Sequence, residues 1–438
     1  MTTVARPSGA RIAIEQMLDE ARARTLLLVS TLSERDLRAQ HDPLMSPIMW
    51  DLGHIAHFEE LWLTRNLSGP VEFGEMPGTY NPFEHPRRTR GALALPDLEE
   101  CVAEMRRIRR RVLERLDSVD LEGGSALLRD GYVYHMVAQH EYQHNETMLQ
   151  TLQLKTGGDY RAPERRALPN ATRASEPGAM VRFAGGEVEI GTADRVAAYD
   201  NERPRHRLSV HPFWIDVAPV SNGEFVAFIE SGGYRERSYW SDGGWAWLTE
   251  EAVEAPKYWF RGDDGWHTRT MDRSGPVNRE LPVSHVCYYE GEAYARFAGK
   301  RLPTEIEWEV AATWDPSRGV QLEYPWGDAP LTGALANVDQ LGFGTAPRWA
   351  YPRNVSPIGC YGMIGDVWEW TSSDFAPYPG YETFPYAEYS ELFFSPDYKV
   401  LRGGSWATRP GALRSTFRNW DYPIRRQIFS GFRCARDV

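Results

Sequence analysis

The run HMVAQHEYQHNETML (His135–Leu149) sets His140 and His144 four residues apart. On a helix that spacing puts two imidazoles on one face. Val133, Val137 and Met148 fall on the same stripe, so the face is a buried one. Two adjacent imidazoles in a core leave several ring nitrogens to satisfy, and a shared metal ion is the direct way to satisfy them. A third ligand is on offer in MWDLGHIAHFEELW (Met49–Trp62), where Trp50, His54, His57, Phe58 and Leu61 share one face. Spacing alone does not choose between His54 and His57. HEYQH also fits HExxH, which would make His140 and His144 zinc ligands and Glu141 the general base of a metallohydrolase. That pattern is short, and no later Glu or His stands in a context that would complete such a zinc site.

These side chains need helices to position them, and the periodicity supplies four. The first spans about Arg11 to Leu32. The second opens at Ser46-Pro47, a cap followed by Pro at the first helical position, and continues to about Leu67. The third starts near Asp97, with Leu98, Val102, Met105, Ile108 and Val112 at helical spacing. The fourth spans Gly131 to Leu154 and stops at Gly157-Gly158. Four such helices predict a four-helix bundle. The connection from Ser68 to Pro96 is polar and rich in Pro and Gly, which places it outside the core, and loops of that length are often functional.

Beyond this bundle the composition changes. Residues Ala162 to Gly178 read as a linker. VRFAGGEVEIGT (Val181–Thr192) alternates like a hairpin, HRLSVHPFWIDVAPVS (His206–Ser221) follows, and GEFVAFIES (Gly223–Ser231) reads as helical. The expected class is α+β in two domains: a helical bundle over residues 1–165 and an irregular mixed α/β domain over residues 178–438. No internal repeat is present.

Bulk properties narrow the function classes. At 438 residues the chain suits two domains. Its 42% hydrophobic and 25% charged content is that of a soluble globular protein. A net charge of -12 argues against nucleic acid as the main partner. The densest basic run, Arg106 to Arg111, shares a helix with Glu99, Glu100 and Glu104 and reads as a solvated face. No apolar stretch is long enough to span a membrane, and Met1 to Ile14 holds no apolar leader. Four scattered cysteines, Cys101, Cys287, Cys360 and Cys434, fit free thiols in a reducing cytoplasm.

SPIMWDLGHIAHFEELWL, FEHPRRTR and HEYQHNETMLQTLQ resemble the DinB-like domain of the ergothioneine-biosynthesis sulfoxide synthases, the hercynine oxygenases. PVSHVCYYEGEAYARFAGKRLPTEIEWEVAA, YPWGD, GMIGDVWEW, VLRGGSW, FRNWD and GFRCARD resemble the formylglycine-generating, sulfatase-modifying fold, a C-type-lectin-like architecture. The second set alone marks a superfamily of varied functions; the pairing of both domains is more specific.

The resemblance implies an Fe(2+) cofactor held by His54, His140 and His144, with His57 as a neighbour. Three neutral imidazoles leave the ion its full charge, which favours an incoming thiolate. Arg87 and Arg90 would grip the carboxylates of γ-glutamylcysteine, as guanidinium forks can, with Arg88 a third arginine in the same run. Asp421 would hold the ammonium of that substrate. Branches using free cysteine lack these features. The second substrate would be hercynine, a trimethylammonium betaine, touched by Gln143 and Asn419 and faced by Trp420. Dioxygen is the oxidant. A tyrosine would donate a proton, and of Tyr378, Tyr381, Tyr386 and Tyr389 the Y-x-x-Y-S pattern points to Tyr386. The chain is expected to act as a monomer. A formylglycine-generating activity would need a cysteine pair, and none lies between Cys360 and Cys434. A non-catalytic binding module is the remaining alternative.

Overall fold

A computed structural model of the chain describes residues 9–67, 78–155, 160–173 and 176–438. Two compact units emerge: Met1–Pro163 with Asp194–Tyr199 and Phe384–Tyr386, and Glu164–Ala193 with Asp200–Thr383 and Ala387–Val438.

The first unit is helical: α1 (Gly9–Val29), a short α2 (Glu34–Arg38), α3 (Ile48–Glu60), α4 (Leu98–Leu116) and α5 (Tyr132–Leu154). Helix α3 packs on α4 and α5, and α1 packs on α5. Their facing stripes bury Leu18, Leu28, Trp50, Met105, Ile108, Val112, Val133 and Leu149, each contributing roughly 1.5–3 kcal/mol. Asp97 caps α4 reciprocally: its Oδ1 accepts from the Glu100 amide at 2.8 Å, and Glu100 Oε2 accepts from the Asp97 amide at 3.2 Å. Helix α3 runs on into a π-helical turn, Leu61–Arg65. The expected Gly157-Gly158 stop lies outside the described residues, as does the 68–77 part of the long connection.

Three features of this unit depart from what the sequence pattern predicts. Pro47, not Ser46, flanks α3, because the buried Ser46 hydroxyl instead accepts from Arg90 Nη1 at 2.8 Å. The Ser68–Pro96 connection is not wholly outside the core, since Tyr80, Asn81 and Arg90 are buried. Arg109, inside the basic run, is not solvated; its Nε donates to Glu59 Oε1 at 2.7 Å in the bundle interior.

The second unit contains short strands and helices: β1 (Met180–Phe183), β2 (Gly186–Ile190), β3 (His206–Val210), β4 (Phe213–Asp216), α6 (Asn222–Glu230), α7 (Asp242–Glu251), β5 (Trp259–Gly262), β6 (Gly265–Thr270), β7 (Arg273–Pro276), α8 (Tyr288–Phe297), α9 (Glu305–Thr313), β8 (Trp314–Asp315), β9 (Val320–Gln321), β10 (Trp368–Phe375), β11 (Ser395–Arg402), β12 (Asn419–Asp421), β13 (Ser430–Gly431) and β14 (Ala435–Asp437). The sheets run β1-β4-β14, β12-β11-β10-β13, β2-β3, β5-β6-β7 and β8-β9. The Val181–Thr192 alternation therefore does not close into a hairpin: β1 pairs with β4, and β2 pairs with β3 from Gly186↔Val210 to Ile190↔His206. Alternation specifies a strand with one buried face but not its partner. Trp308, Trp370 and Trp406 fill this core, and buried guanidinium–carboxylate pairs tie connecting segments to regular elements: Arg433 to Glu369 of β10 (2.6 Å) and Arg418 to Glu305 of α9 (2.8 Å). Among the described residues, no helix is long and apolar enough to cross a membrane.

Candidate metal centre

Helices α3 and α5 bring His54, His140 and His144 together, with ring centroids 5.1, 5.0 and 4.6 Å apart pairwise. One nitrogen from each ring lies within 4.8 Å of the others, a spacing that lets all three share one ion. Among the described residues this is the one such group of three His, Cys, Asp or Glu.

Each ring is oriented differently. The Tyr80 carbonyl accepts from His54 Nδ1 at 2.9 Å, so Nδ1 carries the proton and Nε2 keeps its lone pair. Trp50 stacks on the same ring, centroids 4.8 Å apart and 11° from parallel. Gly53 makes this arrangement possible, because a Cβ there would collide with the Tyr80 ring. His140 lies flat on Phe58 at 3.7 Å. His144 turns Nδ1 toward Asp51 Oδ1, 3.3 Å away. Burial holds His54 and His140 well below the usual imidazole range, so both rings are neutral and able to coordinate.

Asp51 tests whether a cation fits. Its side chain is 1% exposed, and neither its Oδ2 nor His144 Nδ1 has a hydrogen-bond partner. Leaving a carboxylate buried and unpaired costs several kcal/mol. The N-terminal dipole of α3 returns only about 0.3–1 kcal/mol. A positive charge among the neighbouring imidazoles closes that gap, and three nitrogen donors suit a divalent transition metal. The residues present therefore fit a metal ion.

His57 lies outside the cluster; its ring packs on Tyr80 at 4.9 Å, and its Nδ1 sits 3.4 Å from Glu60 Oε2. Glu141 also faces elsewhere. It accepts from Arg22 Nε at 2.9 Å and from Thr25 Oγ1 at 2.7 Å, in a buried network that joins Arg22, Glu59 and Arg109. A carboxylate so engaged cannot serve as the base of an HExxH hydrolase.

Arg87 and Arg90 share a 3₁₀ turn, Arg87–Ala92, whose three-residue period puts them on one side. Arg87 is exposed; Arg90 is buried, with its guanidinium 3.5 Å over the Trp50 ring and its Nε donating to the His85 carbonyl at 2.9 Å. Burial pushes the Arg90 guanidinium down to about 10. Gln143 Nε2 donates to the Tyr199 hydroxyl at 3.2 Å. Tyr386 packs on Trp62 at 4.9 Å and on Phe58 at 6.5 Å, the ring that carries His140. Tyr378, Tyr381 and Tyr389 belong to the second unit. There Tyr378 is buried under Arg418 at 4.1 Å, Tyr381 donates to Asp200 at 2.8 Å, and Tyr389 meets the Trp420 ring edge-on at 5.6 Å. Asn419, Trp420 and Asp421 line up on β12; Trp420 stacks on Phe375 at 4.1 Å, and Asp421 pairs with Arg425 at 3.2 Å. The four cysteines are all free and buried.

Sequence reasoning missed Asp51, Gly53 and Tyr80. An acidic residue inside the apolar run IMWDLGHIAHF was the available signal for Asp51; nothing local marks the Tyr80 carbonyl.

Residues 17–148 match the DinB superfamily, and residues 164–438 match the sulfatase-modifying factor enzyme 1-like domain. The chain is 46% identical to the hercynine oxygenase of Mycolicibacterium thermoresistibile, over 100% of this chain and 97% of that one. It is 44% identical to the hercynine oxygenase of Mycobacterium tuberculosis (96% and 98% covered) and 43% identical to that of Mycolicibacterium smegmatis (98% and 100%). A likeness that runs end to end through both domains decides the family: this chain belongs to the hercynine oxygenases.

Proposed function

We propose that this chain is an iron(II)- and dioxygen-dependent sulfoxide synthase that joins the thiol of γ-glutamylcysteine, or of cysteine, to the imidazole carbon of hercynine. The observation that carries the reading is the convergence of His54, His140 and His144 from two helices in a chain related over its whole length to hercynine oxygenases. The reaction balances as thiol plus imidazole C–H plus O₂ giving a carbon-linked sulfoxide plus water. The S–H and C–H bonds break, one C–S and one S–O bond form, and the two substrates supply all four electrons. No further cosubstrate is needed.

His54, His140 and His144 would hold the iron. An iron(II) ion bound there supplies the one-electron redox chemistry with dioxygen and favours the thiolate form of the sulfur substrate. The protein's own groups do the rest. Arg87 and Arg90, side by side on their turn, are suited to carboxylates. Asp421 is assigned to the ammonium of the thiol substrate, Trp420 to the trimethylammonium face of hercynine, and Gln143 and Asn419 to its polar contacts. Tyr386 is assigned as proton donor; a phenol holds its proton at neutral pH until a basic oxygen forms. Its support is its place against Phe58 and Trp62, whereas Tyr378 and Tyr381 are engaged by Arg418 and Asp200. We further assign the helical domain to residues 1–165 and the second domain to residues 178–438, acting as a monomer in the cytoplasm.

The test is anaerobic loading with Fe(II), followed by O₂, hercynine and each thiol in turn, read by product mass. A product heavier than the two joined substrates by one oxygen, less two hydrogens, supports the reading. Unconsumed hercynine with both thiols overturns it.

A further inference from the structure

Asp51 sits three residues before His54 on α3, in a segment where every neighbour from Ile48 to Ala56 is also buried. Its environment does not explain it structurally. Among the described residues no Lys or Arg pairs with it, and its one close charged or titratable partner is His144. The Asp51 charge is also felt by Arg90, but the hydrogen bonds of Arg90 Nε and Nη1 run to the His85 carbonyl and to Ser46, with the guanidinium over Trp50, and not to Asp51. Two polar atoms thus face each other across the α3–α5 seam, Asp51 Oδ1 and His144 Nδ1, 3.3 Å apart and short of a well-aligned hydrogen bond.

The other rings give the comparison. His54 has its Nδ1 proton fixed by a neutral acceptor, the Tyr80 carbonyl. His140 is held by ring stacking on Phe58. His144 alone has an anion behind it. An imidazole that gives its Nδ1 proton to a carboxylate keeps Nε2 unprotonated and becomes a stronger donor there. The three-histidine set contains no carboxylate ligand, so an acid one shell out also offsets part of the ion's charge within the bundle.

We propose that Asp51 is a positioning residue for the metal: it accepts the Nδ1–H of His144 and fixes that ring with Nε2 toward the shared centre. The inference rests on the reading of His54, His140 and His144 as metal ligands.

The experiment titrates metal-free wild type, Asp51→Ala, Asp51→Asn and His144→Ala anaerobically with Fe(II), and with Co(II) to read the visible ligand-field bands. Thermal melts are recorded with and without metal. Asp51→Ala is expected to bind about 10–100-fold more weakly than wild type. Asp51→Asn, which keeps an acceptor and loses the charge, falls between them. The metal-free melt of either variant stays at or above wild type, because a buried unpaired charge has been removed, while the stabilisation on adding metal shrinks. A purely structural role would lower the metal-free melt and leave affinity intact. Wild-type affinity in both Asp51 variants, alongside lost binding in His144→Ala, overturns the inference and spares the three-histidine reading. Wild-type affinity in His144→Ala overturns both. Should Asp51→Ala fail to fold, Asp51→Asn carries the comparison.

Discussion

Arg22 Nε donates to Glu141 Oε1 at 2.9 Å, and the same guanidinium reaches Glu59 Oε2 at 2.6 Å. Arg109 closes on Glu59 from α4, so two guanidinium groups and two carboxylates form one buried cluster joining α1, α3, α4 and α5. The acid of the HEYQH run is therefore part of what holds α5 in rotation, and α5 in turn presents His140 and His144. Glu141→Gln is expected to cost about 3–5 kcal/mol of stability, the scale for breaking a buried ion pair from one side, while the bound metal per chain stays unchanged. Denaturant unfolding and metal analysis of the same preparations check both halves; lost metal at full stability would return Glu141 to the chemistry.

The same cluster sets an acid limit. Burial works to raise the Glu59 carboxyl, but Arg22 and Arg109 overcome it and hold the group below its ordinary value of 4.5. A carboxylate depressed in the folded state adds stability that is complete above its unfolded pKa and is lost as pH falls through the folded one. The bundle should thus lose stability progressively below about pH 4.5, and Glu59→Gln should flatten that acid limb while lowering stability at neutral pH. Equal slopes for the two proteins in a pH series of unfolding free energies would refute the assignment.

His54 and His57 occupy neighbouring turns of α3, yet only His54 joins the cluster. His54→Ala is expected to reduce bound iron to background, and His57→Ala to retain it within a factor of about three, the size of an indirect packing effect. Iron content after anaerobic loading and desalting measures both.

Arg87 and Arg90 share a turn but differ in burial. Arg87→Ala should raise the KM for γ-glutamylcysteine about tenfold or more with no change in melting temperature, the loss expected of a charge-assisted contact. Arg90→Ala should do the same and also cost about 1–3 kcal/mol, since it strips Ser46 and Trp50 of a buried partner. An unaltered KM in both variants would take the pair out of substrate binding.

Tyr386→Phe removes one hydroxyl and keeps the ring that packs on Trp62 and Phe58. Folding and metal content should be unaffected. Sulfoxide formation should fall by about 10²-fold or more, the range for a lost proton donor, with oxidised thiol accumulating instead. Product ratios equal to those of wild type would clear Tyr386 of that role.

Much of this centre was legible in the chain because the relevant signals are local. The i,i+4 spacing of His140 and His144, the apolar stripes of four helices and the Asp97 cap are short-range facts, and a helix converts them directly into a shared face. Family motifs added His54 over His57, where spacing could not. Tertiary structure decided the partners. The Tyr80 carbonyl reaches His54 from 26 residues away, and Arg22 reaches Glu141 from 119. Only packing showed that Arg109 and Arg90 are buried, that β1 and β2 take separate partners, and that Asp51 stands behind His144. Periodicity states which face of an element must be covered; what covers it depends on the other elements that compete for the same core.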